Sequence, residues 1–251
     1  REQAQCYIEV FRRYSPGMEH CRMVTTGPEL GIREGRRVAG RYELSADDVL
    51  LFSGSFMFVN SLYVSLFLVN LIVTLPNGIR NGTLDLLMTK PISLQFYIST
   101  YFIEIPTIVA GILGGIVMII AAVIRLGLHL NPLTLLGYVF FLFNSVFTMY
   151  LFMFLLHLFS FTAVRVGALH EIASSLSDMN RIPVSAYGKV FRNIFIYTIP
   201  ILLFGNPAPM FLTGRLSVPL GLWSVFVTIL LFILSRVLWK AALRRYSSAN
   251  G

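Results

Sequence analysis

The sequence predicts an all-α, polytopic transmembrane helical protein with five spans. The chain of 251 residues has a mean hydropathy of +0.73, and only 13% of its residues are charged, whereas soluble domains average ~25%. A transmembrane helix needs ~20 mostly apolar residues, and five stretches meet this requirement. They are approximately residues 49–75, 101–124, 133–164, 191–204 with an extension to 212, and 218–239.

Local signals support the span boundaries. Asn131 and Pro132 suit the cap and first position of a helix, so they predict where the third span begins. Pro200 and the Gly- and Pro-rich run 205–209 interrupt the fourth span. Broken backbone at membrane depth is tolerated only where protein or water satisfies its polar groups. We therefore predict that residues 205–217 form a re-entrant or surface-lying element on the outer side.

Charge distribution predicts the orientation of the spans. Loops 76–100 and 165–190 and the C-terminus are rich in Lys and Arg, whereas loops 125–132 and 205–217 contain one arginine each. Basic residues are retained on the cytoplasmic side of a membrane. Loops 76–100 and 165–190 and the C-terminus are therefore predicted to be cytoplasmic. Membrane topology thus accounts for the excess of basic residues, so this excess does not indicate nucleic acid as a partner.

Residues 1–48 form a polar N-terminal segment that precedes a transmembrane domain over residues 49–251. The segment contains eight arginines and eight acidic residues, and its composition predicts irregular or aberrant structure. Five spans would place this segment on the outer side of the membrane. Eight arginines are unfavourable there, because basic residues are retained on the cytoplasmic side. Cys6 and Cys21 have no metal-binding or disulfide pattern around them, and no role is assigned to them.

One cytoplasmic loop contains a predicted short helix over residues 83–89. Asn81 and Gly82 form a turn signal before it, and Pro91 follows it. Leu84, Leu87 and Met88 have helical spacing and are predicted to share a face. Such a helix either lies on the lipid surface or docks into a groove of a soluble partner.

The same stretch resembles a known family. Residues 79–91 read IRNGTLDLLMTKP and resemble the IRxGxLDxxLxKP segment of ABC-2 type permeases of the uncharacterised-export group. The resemblance extends over residues 42–251, including 66–71 and 243–249. It implies a six-span fold of which this chain has the last five spans. Residues 1–40 are too polar for the first span, and we expect them to be a truncated, mis-translated or divergent counterpart.

The resemblance implies a permease subunit of an ATP-driven exporter, not an enzyme, in the plasma or inner membrane with its C-terminus in the cytoplasm. Two copies of a separate ATPase would bind ATP and Mg, and a second permease, identical or homologous, would complete the translocation path. Cytoplasmic helices would couple the subunits, including part of 165–190. The implied coupling residues are Arg80, Gly82, Leu84, Asp85, Leu87, Met88, Lys90 and Pro91.

Four polar residues lie in or beside predicted spans: Asn60, Glu104, Asn144 and His157. Polar groups within a membrane are candidates for a substrate path. They also serve as interhelical hydrogen-bonding groups, and both interpretations remain open. The sequence Gly111-x-x-x-Gly115 allows close approach of another helix without indicating which one.

Two other functions remain open: an ATP-independent secondary carrier or channel, and an intramembrane lipid-modifying enzyme. The sequence contains no G-x-x-x-x-G-K-[ST], HExxH or GxSxG motif, so neither an ATP site nor a catalytic or metal centre is predicted. A carrier would not need a docking helix at 83–89, and an enzyme would need clustered catalytic side chains.

Overall fold

The computed structural model describes residues 45–91, 93–128, 130–161 and 166–245. The chain divides into two compact units, 1–41 and 42–251. The first unit, which contains Cys6 and Cys21, lies outside the described residues, as does the tail after residue 245. The described part of the second unit is helical and contains no strand. The predicted all-α polytopic class is confirmed.

Helix α1 spans Ala46–Arg80 and is the longest helix of the bundle. It begins with a capping box, in which the Asp48 backbone N–H donates to Ser45 Oγ at 3.0 Å and the Ser45 N–H donates to Asp48 Oδ2 at 3.2 Å. Its 35 residues extend about 50 Å at 1.5 Å per residue, more than a bilayer core. We call its two extremities the Asp48 end (residues 45–48) and the Lys90 end (residues 80–91).

Helix α4 (Ile105–Leu126) runs against α1 at very close range; the short helices α2 (Thr83–Met88) and α3 (Leu94–Thr100) precede it. A Cβ atom at Gly111 would collide with Cβ of Ser61, and one at Gly115 would lie 3.0 Å from the Gly54 carbonyl oxygen. The small residues thus permit backbone approach. The partner that the Gly111-x-x-x-Gly115 pattern left open is α1 of the same chain.

Helix α5 (Pro132–His157) occupies the centre of the bundle. In the most apolar 18-residue segment of α5, 56% of the residues are buried, whereas the corresponding share for α4 is 17%. Hydroxyl pairs connect α5 to its neighbours: Tyr138 to Ser55 at 2.7 Å, Tyr150 to Ser99 at 2.6 Å, and Thr148 to Thr228 of α9 (Val218–Arg245) at 2.6 Å. These contacts place α1, α3 and α9 around α5.

The predicted span at 191–212 is not a continuous helix. It is divided into α7 (Lys189–Asn193), a π turn (Ile194–Thr198), a 3-10 turn (Pro200–Leu203) and α8 (Pro207–Leu212). Ile199 has extended backbone, with φ −119° and ψ 95°, as expected for the residue before a proline. Four of the five predicted spans are therefore long apolar helices in the described residues, and this one is interrupted.

The prediction that the whole loop 165–190 shares one side with loop 76–100 is also wrong. Pro183, Val184 and Ser185 line a cavity together with Asp48 and Arg215, at the Asp48 end. Phe161, by contrast, packs its ring 5.8 Å from Trp239 near the C-terminal end of α9. The chain therefore traverses the bundle between these points, and α6 (Val166–Asp178) lies on the way.

Cysteine labelling tests this traverse in a Cys6→Ser/Cys21→Ser background. We expect Ala186→Cys to react with a membrane-impermeant maleimide on the same side as Ser217→Cys and opposite to Thr89→Cys, because residues 183–185 lie at the Asp48 end. All three native positions are exposed. If Ala186→Cys and Thr89→Cys instead react from the same side of the membrane, the traverse is refuted and loop 165–190 lies on the side of loop 76–100, as the charges predicted.

The α1–α4 contact allows a paired stability test. Gly111→Ala should lower the thermal midpoint of unfolding by several degrees, because the new methyl meets Cβ of Ser61 and overpacking costs ~1–3 kcal/mol. Gly114→Ala is the control. Its methyl meets the terminal Cε of Met57 at 2.6 Å, and that flexible side chain can move. Equal midpoints for the two variants in detergent would show that the helices do not approach this closely.

Candidate functional site

The Lys90 end contains the predicted short helix, now seen as α2 (Thr83–Met88). It begins after Gly82, whose φ of 68° is left-handed and favours glycine. Leu84 is only 1% exposed, and it lies so close to Gly78 that a Cβ there would be 3.3 Å from the leucine. Gly82 and Leu84 therefore hold α2 against the end of α1.

The exposed face of α2 differs from the predicted one. Leu84 is buried and Leu87 packs against the core, so neither presents its side chain as freely as the periodicity predicted. Leu86 is 70% exposed and Met88 is 42% exposed. Leu86 was missed because helical spacing alone does not say which side meets the bundle. Other predicted coupling residues at this end are half-buried or exposed: Asp85, Arg80, Lys90 and Pro91.

A polar network ties α3 to α9 beside α2. Arg236 Nη1 donates to Gln95 Oε1 at 3.1 Å, and Gln95 Nε2 donates to Ser235 Oγ at 3.4 Å. The Lys90 ammonium lies 5.5 Å from the centroid of the Tyr97 ring, within cation–π range. Sequence reasoning missed Gln95 and Arg236 as a pair, because 141 residues separate them and only the fold brings them together.

Asn70 connects α1 to the turn that leads into α4. Its Nδ2 donates to the carbonyl oxygens of Ser99 at 3.1 Å and Phe102 at 2.8 Å, and its Oδ1 accepts from the Phe102 N–H at 2.9 Å. The side chain is fully buried. It thereby satisfies backbone groups of residues 99–104 that no helix pairs.

Of the four predicted path residues, Asn60 lines a cavity. The cavity measures about 440 Å³ and lies between α1 and α4, with Ser61 and Thr107 also in its wall. The Asn60 side-chain amide forms no hydrogen bond within the described part of the chain. At membrane depth such an amide needs water, a ligand or another subunit to satisfy it.

The other three residues do not line this cavity. His157 is fully buried at the end of α5, with Nδ1 2.8 Å from the Met153 carbonyl oxygen. Asn144 is also buried, and among the described residues its Nδ2 has no hydrogen-bond partner. Glu104 is the residue before α4, and its N–H donates to the Ser65 carbonyl at 3.1 Å. The structure places these three in helix packing or at a helix start.

A second cavity, about 450 Å³, lies at the Asp48 end, opposite α2. Near it, the Tyr187 hydroxyl donates to the Met179 carbonyl oxygen at 2.7 Å. A phenol is protonated at neutral pH, and partial burial raises the pKa of Tyr187 further. Among the residues described, no group of histidine, cysteine and acidic side chains could hold a metal ion.

These features define a polytopic helical membrane protein with a projecting helix at one end and, between two spans, a mostly apolar cavity into which Asn60 opens. The family model described as ABC-2 family transporter protein matches residues 41–250, and the chain belongs to this family. A second model, described as FAD dependent oxidoreductase, matches residues 1–56, of which only 45–56, the start of α1, are described. No curated protein and no solved structure matches the chain.

Family membership confirms the resemblance seen at residues 79–91. The chain is thus a multi-pass membrane protein and a permease subunit of an ABC transporter. It is a transport subunit and not an enzyme, and the family implies association with an ABC ATPase and often with a second permease.

A labelling contrast tests whether the Asn60 cavity admits water. In the cysteine-free background, Asn60→Cys should react with a water-soluble thiol reagent, because the residue lines an open cavity. Asn144→Cys should react at least about tenfold more slowly, since its site is 8% exposed; tenfold corresponds to ~1.4 kcal/mol in the free energy of access. Equal rates, followed by mass spectrometry, would remove the assignment of Asn60 to a water-accessible wall.

Proposed function

We propose that this chain is the membrane subunit of an ATP-driven exporter in the plasma or inner membrane, and that it forms half of the translocation path. A second permease, identical or homologous, supplies the other half. Two copies of a separate ATPase bind ATP and Mg and dock at the Lys90 end, which faces the cytoplasm together with the C-terminus. The coupling element is the exposed face of α2.

One observation carries this proposal: α2 has an anchored face and a projecting face. Leu84 and Leu87 pack into the bundle, whereas Leu86 and Met88 are exposed together with the half-buried Asp85. An apolar surface with a charge beside it suits a groove on a soluble partner, where the charge fixes register and orientation. Lipid contact alone would not need the anchoring of the opposite face.

The contacts behind α2 provide a route for movement into the spans. Leu84 holds α2 to α1, and Asn70 holds α1 to the backbone of residues 99–104. Ser99 pairs with Tyr150 of α5, and Gln95 pairs with Arg236 of α9. A displacement of α2 is therefore transmitted to four long helices through short, directional contacts, which is what coupling to an ATPase requires.

Charge supports the orientation. Six basic residues of the described chain lie at or near the Lys90 end: Arg80, Lys90, Arg236, Lys240, Arg244 and Arg245. At the other end, Arg125 lies 3.6 Å from Asp47 and Arg215 lies 3.1 Å from Asp48. Near the Asp48 end only Lys189 and Arg192 lack an ion pair among the described residues, so the larger basic excess lies at the Lys90 end and favours a cytoplasmic location for that end.

Charge reversal on α2 tests the coupling. Asp85→Lys and Leu86→Asp should each leave the protein in the membrane and reduce its co-purification with the ATPase about tenfold, because each puts a charge of the wrong sign or a buried charge into the interface. Asp178→Lys is the control; it reverses an exposed carboxylate, 2.9 Å from Arg181, that lies outside α2. Co-purification that is unchanged in both α2 variants, measured against the cognate ATPase, would refute the docking role.

A further inference from the structure

The cavity at the Asp48 end is built from elements distant in sequence. It lies between the start of α1, the 3-10 turn Val184–Ala186, α7 and the end of α8. Asn206 fixes its wall: Oδ1 accepts from the Val184 N–H at 2.8 Å, and Nδ2 donates to the Leu202 carbonyl at 2.9 Å. The cavity of about 450 Å³ is therefore a framed space rather than a gap between loose segments.

Its charges are asymmetric. The Asp48 side chain is 6% exposed, and Arg215 Nη1 lies 3.1 Å from its Oδ2. The same Oδ2 accepts from the Ser45 N–H and hydroxyl at 3.2 and 3.0 Å. Oδ2 of Asp48 thus holds Arg215 and the start of α1, whereas Oδ1 is buried and has no hydrogen-bond partner among the described residues. Because a buried carboxylate is stable only when paired, these contacts also keep the Arg215 guanidinium in position.

Arg192 supplies a second guanidinium to the same cavity. No carboxylate lies within ion-pair distance of it among the residues that the structure describes, and its side chain is half-buried. Two guanidinium groups and one carboxylate leave a net charge of +1 in a partly enclosed space. Such a space favours an anion, since the field of a desolvated cation is weakly screened.

The remaining walls are apolar, and the cavity lies at the end of the membrane-spanning helices. Leu51, Phe52 and Met210 line it beside the two arginines. α1 becomes apolar directly after Asp48, so the arginines lie where the polar and hydrocarbon regions of a bilayer meet. A free anion would use the arginines only, whereas an amphiphile would use both the arginines and the apolar wall.

We propose that this cavity binds the phosphate group of an anionic amphiphile, with Arg192 and Arg215 donating to the phosphate oxygens and Phe52 and Met210 contacting the first part of the acyl chain. The planar guanidinium fork matches phosphate geometry. Arg215 uses Nη1 for Asp48, which leaves its other N–H groups for the ligand. This site is independent of the docking of the ATPase at the opposite end.

Native mass spectrometry of the purified full chain in detergent tests the site. We expect one saturable equivalent of dioctanoyl phosphatidic acid and at least about tenfold weaker binding of dioctanoylglycerol, which has the same chains without phosphate. Arg192→Gln should weaken phosphatidic acid binding about tenfold, and Arg192→Lys, which keeps the charge, should weaken it less. Arg181→Gln is the control, because Arg181 is exposed and paired with Asp178; its affinity should be unchanged.

Three outcomes would overturn the proposal. The first is equal binding of the two lipids, and the second is equal affinity for Arg192→Gln and Arg181→Gln. The third is displacement of phosphatidic acid by inorganic phosphate at the same concentration, which would identify a free anion site and exclude the amphiphile. Co-purification with the ATPase should be normal in Arg192→Gln, so failure of this site is distinguishable from failure of the coupling role of α2.

Discussion

The architecture depends on the rule that every polar backbone group inside a bilayer needs a partner within the protein or water. The chain departs from regular helix between α3 and α4, and there the buried Asn70 amide pairs with the backbone of Ser99 and Phe102. The Glu104 N–H pairs with the Ser65 carbonyl. Without these contacts, only the covalent chain would connect the segment of α2 and α3 to α1. With them, the Lys90 end is fixed to α1 by hydrogen bonds.

Much of the fold could be predicted because hydropathy reports lipid-facing helices directly. The four long helices α1, α4, α5 and α9 are strongly apolar, and each was found at nearly its observed position. The traverse through α6 could not be predicted in this way. Glu171, Asp178 and several serines make α6 read as a loop, and Arg181 and Lys189 add the positive charge typical of the cytoplasm. Hydropathy instead predicts a span in the more apolar stretch 191–212.

Among the candidate sites, too, features with a local sequence signal could be predicted, whereas contacts between distant residues could not. The short helix α2 was predictable because Gly82 and Pro91 bound it locally. Which side of it faces outward was not, since Leu84 is buried by Gly78 of a different helix. The Asp48–Arg215 pair joins residues that are far apart in the sequence, and no local pattern signals such a pair. A helix boundary can be predicted from neighbouring residues in the sequence, whereas a contact between distant residues can be identified only in the folded structure.

The polar face of α6 supports the proposal that a second permease subunit completes the translocation path. Glu171, Ser174 and Asp178 are exposed on a helix that traverses the bundle, and Asn60 opens into a cavity beside α4. Ser174 Oγ donates to the Glu171 carbonyl oxygen and Asp178 pairs with Arg181, but these exposed groups and the Asn60 amide are still costly to place against lipid, because polar and charged groups in hydrocarbon are strongly unfavourable. Water in a path that the proposed second subunit encloses would satisfy them. The same residues that obscured α6 in the sequence are thus those expected of a helix whose outer face does not meet lipid.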